Sequence, residues 1–280
     1  MIIGIFPNEK KPASLQIAGE VVRFLKARNV TVVAEDSIAH SIGAEALSSV
    51  DLHAVDFRIS MGGDGTILHL VHRFPDLEAP LLGINLGGLG FLADVPSTNI
   101  YPSLDRLLTG HYTVEQRLMI EGTLSGGISS FAMNEIVIHR GQNPCLIDLA
   151  VFVDEKYLNT FSADGIILST PGGSTAYSLS AGGPILTPDL KALVLNPICP
   201  HTISNRPIVL MPKDEIQVVC QSPQLSVDVI FDGVSTFHLQ KDEKLKMTVS
   251  SRTFSLVNLT GHDYYSTLRE KLGWQGGLKI

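Results

Sequence analysis

Apolar and polar positions along this chain change rhythm about a third of the way through. Up to Leu108, short apolar runs alternate with segments of helical period. Ile2 to Phe6 reads as a first strand. Ser14 to Arg28 carries Leu15, Ala18, Val21, Val22 and Leu25 at helical spacing. Asn29 to Ala34, Asp56 to Met61 and Leu81 to Asn85 read as further strands, with one helix after Asp64 and another around Ile100 to Leu108. Continuous apolar strands separated by helices predict a parallel sheet covered on both faces. In such sheets ligands bind beyond the carboxyl ends of the strands, where Asp64 and Asn85 stand.

From Tyr112 to about Ser255 the pattern becomes short alternating runs broken by Gly, Asn-Pro, Pro-Lys-Asp and Asp-Gly. Glu135 to His139, Ile147 to Val153, Glu215 to Cys220, Val227 to Phe231 and Leu245 to Val249 are examples, and they predict a mainly antiparallel β domain. Tyr264 to Leu272 is helical again. The expected class is therefore α/β plus all-β. Residues 1–98 form the α/β domain, 99–258 the β-rich domain, and 259–280 a segment whose helix packs back on the first domain.

The densest chemical signal is Gly62-Gly63-Asp64-Gly65-Thr66, at a strand-to-helix turn. Glycine allows positive φ and close approach of a ligand to the backbone. The amides of such a turn, with a helix N-terminus behind them, favour phosphate. A carboxylate there repels phosphate unless it holds a metal or accepts a proton from a hydroxyl nucleophile, which suggests phosphoryl transfer. The plain alternative is a tight turn with Asp64 capping the helix.

A second cluster runs from Asp164 to Pro184. The strand Ile166 to Leu168 leads into Pro171-Gly172-Gly173, and Ser174 to Ser180 reads as a short helix stopped by Gly182-Gly183-Pro184. Exposed amides and hydroxyls at a helix start suit sugar, phosphate or adenine edges, and Tyr177 can stack or donate. A Gly/Ser-rich loop joining two strands reads equally well. Asn134-Glu135, beside an apolar run, has the chemistry to grip both hydroxyls of a ribose, or is a solvent-facing polar pair. Asp232-Gly233 is foremost a turn signal.

Other motifs fall away. Gly88 to Ala93 formally matches G-x-G-x-x-A, but no acidic residue stands at the usual distance on a second strand, so no dehydrogenase is read from it. There is no G-x-x-x-x-G-K-[ST], no Gly-x-Ser-x-Gly and no H-E-x-x-H; His69 and His72 are three apart on one helix. The net charge of −7 does not indicate a nucleic-acid surface. Cys145, Cys199 and Cys220 lie far apart without Cys-x-x-Cys, which argues against a disulfide framework or zinc site and for a reducing, cytoplasmic setting. Met1 to Pro7 reads as a strand rather than a signal peptide, and no apolar run reaches membrane-spanning length.

Taken in order, these segments resemble the ATP-dependent NAD kinases of bacterial type. The match is carried by Gly62 to Thr66, Gly83-Ile84-Asn85 with Leu89 to Leu92, Asn134 to Arg140, Ala163-Asp164-Gly165, Ser169 to Pro184, Ile198 to His201 with Arg206-Pro207-Ile208, and Leu268-Arg269 with Lys271 to Trp274. The resemblance implies a Rossmann-like first domain and a β-rich second one with NAD bound between them, in a homodimer or homotetramer. It implies transfer of the γ-phosphoryl of ATP, or in some members polyphosphate, to the 2′-hydroxyl of the adenosine ribose of NAD. A divalent cation, Mg²⁺, is required. By the same resemblance Asp64 accepts the proton and Gly65 contacts NAD. Asn134 and Glu135 hold its nicotinamide end, and Asp164, Thr175, Ala176, Tyr177, Ser178 and Ser180 hold the rest. His69 and Ser162 occupy positions that contact ligand but vary in the family. Gly172 stands where the family usually has Thr or Ser, and Val234 where many members have Gln.

Two rival readings remain at this stage. Diacylglycerol and sphingoid-base kinases share the Gly-Gly-Asp-Gly-Thr turn, but Gly83 to Asp94 differs from their Gly-Thr-Gly-Asn-Asp. A catalytically silent NAD-binding regulator is the other, and intact Asp64 and Gly65 argue against it.

Overall fold

A computed structural model describes residues 1–222, 227–259 and 263–274. The chain divides into two compact units, one of residues 1–116 with the chain from 255 onward, the other of residues 117–254.

The first unit starts β1 (Ile2–Pro7), α1 (Pro12–Lys26), β2 (Thr31–Ala34), α2 (Asp36–Ile42) and β3 (Glu45–Ala46). It continues β4 (Phe57–Gly62), α3 (Asp64–Arg73), β5 (Leu81–Asn85), β6 (Val95–Pro96) and α4 (Ile100–Leu108). Its sheet runs β3-β2-β1-β4-β5, parallel throughout, with β6 beside β5. Every residue of β4 and β5 is buried, as coverage of both faces requires. Ala18, Val21, Val22 and Leu25 of α1 and Leu104 and Leu107 of α4 share one core with Ile3, Ile5, Val32 and Ile59. The strand order reverses between β1 and β4, so the carboxyl ends of these two strands flank the switch point where such sheets bind nucleotides. Residues 36–46 carried no prediction. Their helix and two-residue strand are too short for periodicity to register.

The second unit holds most of β7 (Tyr112–Leu124), then β8 (Ser129–Ala132), β9 (Glu135–His139), β10 (Ile147–Val153), β11 (Lys156–Ala163) and β12 (Gly165–Ser169). It goes on with α5 (Tyr177–Ser180), β13 (Leu193–Ile198), β14 (Ile208–Leu210), β15 (Ile216–Cys220), β16 (Val227–Phe231), β17 (Ser235–Leu239) and the start of β18 (Lys244–Leu259). A six-stranded antiparallel sheet runs β14-β13-β12-β9-β16-β17. Strands β11, β10, β15 and β18 pair in that order, also antiparallel. One core joins Ile136 and Ile138 of β9 to Leu149 and Val151 of β10 and Val218 of β15. On the other face of the six-stranded sheet, Val137, Ile167 and Ile198 pack with Ala181, next to α5. Both faces are thus covered, so β12 and β13 are buried along their whole length instead of alternating. The Gly/Ser-rich segment 170–183 lies on that outer face.

The divide between units falls inside β7 and β18. After Phe254, β18 belongs to the first unit: Leu256 pairs in parallel with Leu81, and Val257 and Leu259 join its core. The predicted terminal helix is α6 (Tyr264–Leu272), with Thr267 and Leu268 buried. It starts at Asp263, whose Oδ1 accepts the Tyr265 N–H at 3.0 Å. The Tyr264 ring stands 6.1 Å from that of Phe91. Within the predicted segment 259–280, residues 260–262 and 275–280 lie outside the described residues. No helix among the described residues is long and apolar enough to cross a membrane.

Candidate active site

In the first unit the Gly-Gly-Asp-Gly-Thr turn joins β4 to α3. Positive φ is not what its glycines supply: Gly63 has φ −130°, and neither Gly62 nor Gly65 is in the left-handed region. Close approach is. A Cβ at Gly62 would stand 2.2 Å from Thr66 Oγ1, whereas Gly63 and Gly65 face open space. Thr66 Oγ1 accepts the Gly63 N–H at 3.4 Å and the Asn8 amide at 3.2 Å, tying the carboxyl end of β1 to the turn.

Asp64 does not cap α3; Gly63 is the N-cap, and the Asp64 carboxylate turns into the loop after β5. Its Oδ1 accepts the N–H groups of Leu92 (3.1 Å) and Ala93 (2.9 Å), and its Oδ2 that of Phe91 (2.9 Å). A carboxylate offers about four lone-pair positions. Among the described residues three are used, which leaves one, on Oδ2, for a hydroxyl. The loop approaches this closely because position 90 is glycine: a Cβ there would lie 2.1 Å from Asp64 Oδ1. Asn85 shapes the same loop. Its Nδ2 donates to the carbonyls of Gly88 (2.5 Å) and Ala93 (3.1 Å), and its Oδ1 accepts the Gly87 N–H at 2.6 Å. His69, on α3, is exposed.

In the second unit Asn134 and Glu135 stand where β8 turns into β9. Asp232, beyond β16, holds this turn: its carboxylate accepts the N–H groups of Met133 (2.7 Å), Asn134 (2.8 Å) and Glu135 (3.1 Å). Asp232 has φ +52°, a left-handed conformation that Asp tolerates better than most residues. From the other side, Thr170 donates N–H to the Asn134 carbonyl (2.8 Å) and Oγ1–H to that of Met133 (2.6 Å). A Cβ at Gly173 would strike the Asn134 carbonyl at 2.1 Å.

The Glu135 carboxyl is buried and receives the Tyr177 N–H. Desolvation, reinforced by the nearby Asp232 charge, pushes it up to about 8. Glu135 is therefore mostly protonated at neutral pH and can donate a hydrogen bond. Burial, then Cys199, Asp164 and Glu135, also raise the Tyr177 phenol, so these four residues, far apart in sequence, form one neighbourhood.

Asp164 is oriented by Arg140, whose Nε lies 2.7 Å from its Oδ1 and whose guanidinium also donates to the Asn143 carbonyl. Cys199, at the end of β13, is exposed with φ +44°. Ser162 is partly buried, its carbonyl accepting the His201 N–H at 2.9 Å. The predicted single helix from Ser174 to Ser180 is instead a 3₁₀ turn, Gly172–Thr175, and the short α5, broken at Ala176. Tyr177 and Ser180 are exposed, and Thr175 and Ala176 partly so. Ser178 is fully buried, with Asn196 Nδ2 donating to its carbonyl at 3.0 Å. Arg140, Thr170 and Asp232 are the organisers that sequence reasoning passed over.

Two family models match in tandem: the ATP-NAD kinase N-terminal domain over residues 3–112 and the ATP-NAD kinase C-terminal domain over residues 133–259. The chain belongs to the ATP-NAD kinase family. The NAD kinase of Protochlamydia amoebophila is 60% identical over 279 residues, covering 100% of both chains. That of Moorella thermoacetica is 38% identical over 96% of this chain and 88% of its own. Among solved structures, yeast NADH kinase complexed with NADH superposes with a TM-score of 0.90 at 27% identity, covering 100% of this chain and 89% of the other. An NAD kinase from Archaeoglobus fulgidus in complex with ATP gives 0.78 at 26%, covering 99% and 100%. These relatives do not favour a lipid kinase.

At Gly172 the chain leaves room. A Cβ there would meet Thr170 Oγ1 at 3.6 Å and Asn134 Oδ1 at 4.0 Å, ordinary contacts, so a Cβ fits at this position of the chain without strain. Val234 lies in the turn between β16 and β17, its N–H donating to the Phe231 carbonyl at 2.9 Å.

Proposed function

We infer that this chain phosphorylates NAD at the 2′-hydroxyl of its adenosine ribose, using ATP, to make NADP. The observation that carries this reading is Asp64. It stands at the carboxyl end of β4, three backbone N–H groups fix its carboxylate, and one acceptor position stays open for a hydroxyl. Phosphoryl transfer asks a protein mainly for positioning and charge stabilisation. In this reading Asp64 accepts the proton of the ribose hydroxyl as transfer proceeds. The open backbone at Gly63 and Gly65 leaves room for phosphate oxygens at the start of α3. Asn134, Glu135, Asp164, Thr175, Ala176, Tyr177 and Ser180 take the dinucleotide. Neutral Glu135 donates where a carboxylate would repel, and Ser178 contributes by packing under α5. Gly65, His69 and Ser162 are assigned to ligand contact by family position.

Among the described residues no three His, Cys, Asp or Glu side chains form a metal-holding group. In this reading Mg²⁺ is bound by the ATP phosphates and neutralises their charge. A cytoplasmic location is supported by three cysteines that are all free thiols. A homo-oligomer is supported by the exposed apolar side chains of Val209 on edge strand β14, Met211 just after it and Ile203 in the turn before it, 52%, 57% and 86% exposed. Light scattering tests it.

The assay combines purified protein, NAD, ATP and Mg²⁺, with NADP read by an NADP-specific dehydrogenase and Asp64→Asn as control. NADH, and polyphosphate in place of ATP, are run in parallel. NADP from the wild type, lost in the variant, is the expected result. NAD binding without any NADP would instead indicate the silent regulator.

A further inference from the structure

No ligand contact is assigned to helix α6, although Leu268-Arg269 with Lys271 to Trp274 belongs to the series of segments that resemble the family. Both ends of this helix are fixed. Asp263 caps its start and also lies 3.7 Å from the Arg269 guanidinium. At the other end Gly273 takes φ +66°. The Trp274 N–H then reaches the Arg269 carbonyl at 2.9 Å, and the Gly273 N–H that of Glu270 at 3.4 Å. This pair of bonds around a left-handed glycine closes the helix. Tyr264, Thr267, Leu268 and Lys271 recur at i, i+3, i+4 and i+7 and share one face. Thr267 and Leu268 are buried, so that face is turned inward.

Phe91 lies against it. The Tyr264 ring is 6.1 Å from the Phe91 ring and tilted by 44°, and the Lys271 ammonium is 5.7 Å from the Phe91 centroid. Both distances fall within the range of aromatic pairs and of cations over rings.

The Phe91 backbone gives that contact its meaning. Its N–H donates at 2.9 Å to Asp64 Oδ2, the oxygen with a position left for the hydroxyl, while those of Leu92 and Ala93 hold Oδ1. The Gly90 N–H closes the turn on the Ala93 carbonyl at 3.0 Å. Gly87, Gly88 and Gly90 are three of the four residues before Phe91. Glycine loses more conformational freedom on ordering than any other residue, so this loop relies on contacts from elsewhere. Asn85 supplies them at Gly87 and Gly88, Asp64 at residues 91–93, and α6 at the Phe91 ring. We propose that Tyr264 and Lys271 of α6 are positioning residues for phosphoryl transfer: through the Phe91 ring they hold the turn of residues 90–93, and with it the orientation in which Asp64 accepts the ribose proton. The proposal rests on the kinase reading above and extends its proton acceptor to two residues that act through Phe91.

Tyr264→Ala removes one ring of the pair, and losing an aromatic pair shifts an equilibrium by roughly two- to tenfold. In the full chain kcat for NADP formation is expected to fall by roughly that factor, with KM for NAD and for ATP unchanged. The amides of residues 91–93 should exchange with deuterium faster by a similar factor. Tyr264→Phe keeps the ring and should restore both. Phe91→Ala should match Tyr264→Ala, and the double variant should lose no more than either alone, because the two rings form one contact. Melting temperature shows which variants are folded. Should Tyr264→Ala not fold, Lys271→Met, at an exposed side chain, decides instead, with kcat and exchange expected to change by roughly two- to fivefold. Unchanged kcat or unchanged exchange in the folded variant overturns the proposal, as do losses in kcat that multiply in the double variant. If the wild type forms no NADP, the kinase reading fails, and the exchange rates still decide whether α6 holds the loop.

Discussion

Gly90→Ala tests whether the Asp64 clamp has the role given to it. The new Cβ would lie 2.1 Å from Asp64 Oδ1 and 2.9 Å from the Ala93 carbonyl, where real Cβ contacts do not fall below 3.0 Å. The carboxylate must then retreat by about 0.9 Å, which stretches its bonds from Phe91, Leu92 and Ala93 beyond hydrogen-bonding range. Hydrogen bonds to charged groups contribute about 1.5–3 kcal/mol each. Partial loss of three, with the overpacking itself, should destabilise the first unit by about 2–3 kcal/mol. A displacement near 1 Å at a reacting group costs about 10²-fold in rate. The expected outcome is a folded protein with a lowered melting temperature, kcat down about a hundredfold, and KM values little changed. Gly88→Ala, in the same loop but facing open space, is the matched control and should stay within about 0.5 kcal/mol of wild type. Wild-type kcat and melting temperature in Gly90→Ala would refute the clamp.

Asp64→Asn should lower kcat roughly 10²–10⁴-fold, measured by NADP formation, because the amide accepts no proton. Asp232→Ala removes the acceptor of three backbone N–H groups and leaves alanine at φ +52°; we expect a loss of at least about 2–3 kcal/mol in denaturant unfolding. Gly172→Ser should fit, stabilise by up to about 1 kcal/mol through the unfolded chain, and lower KM for NAD. Glu135 is raised to about 8 from 4.5. Its stabilising contribution is therefore complete below pH 4.5 and is lost as pH rises toward 8, by an amount on the order of a few kcal/mol. Melting temperature against pH should fall more steeply over that window in the wild type than in Glu135→Gln, and equal slopes would exclude it.

What could be read from the sequence follows from how local each signal is. The strand-glycine-helix turn around Asp64 is written in neighbouring residues, as are the helical spacing of α1 and the parallel character of the first sheet. Asp232 is different. Its Asp-Gly pair reads as a turn, and it is one, but the carboxylate serves residues almost a hundred positions earlier, which no local pattern reveals. The same holds for Arg140 with Asp164 and for Asp64 with residues 91–93. Ala176 interrupts the predicted helix from Ser174 to Ser180 because the backbone at Gly173 is pinned against Asn134, a tertiary constraint that outweighs helical spacing.

The return of β18 to the first unit bears on how the chain matures during synthesis. The second unit is continuous from 117 to 254, so all its strands are available once residue 254 has emerged. The first unit is not. The edge of β5 at Leu81 stays open until Leu256 arrives, and its core lacks Val257 and Leu259 until then. The half that carries Asp64 is begun first and completed last. An unpaired strand edge is an invitation to wrong partners, and long-range pairing is slow. A chain that ends at residue 254 should therefore display a protease-resistant second unit beside a first unit that is still readily cleaved.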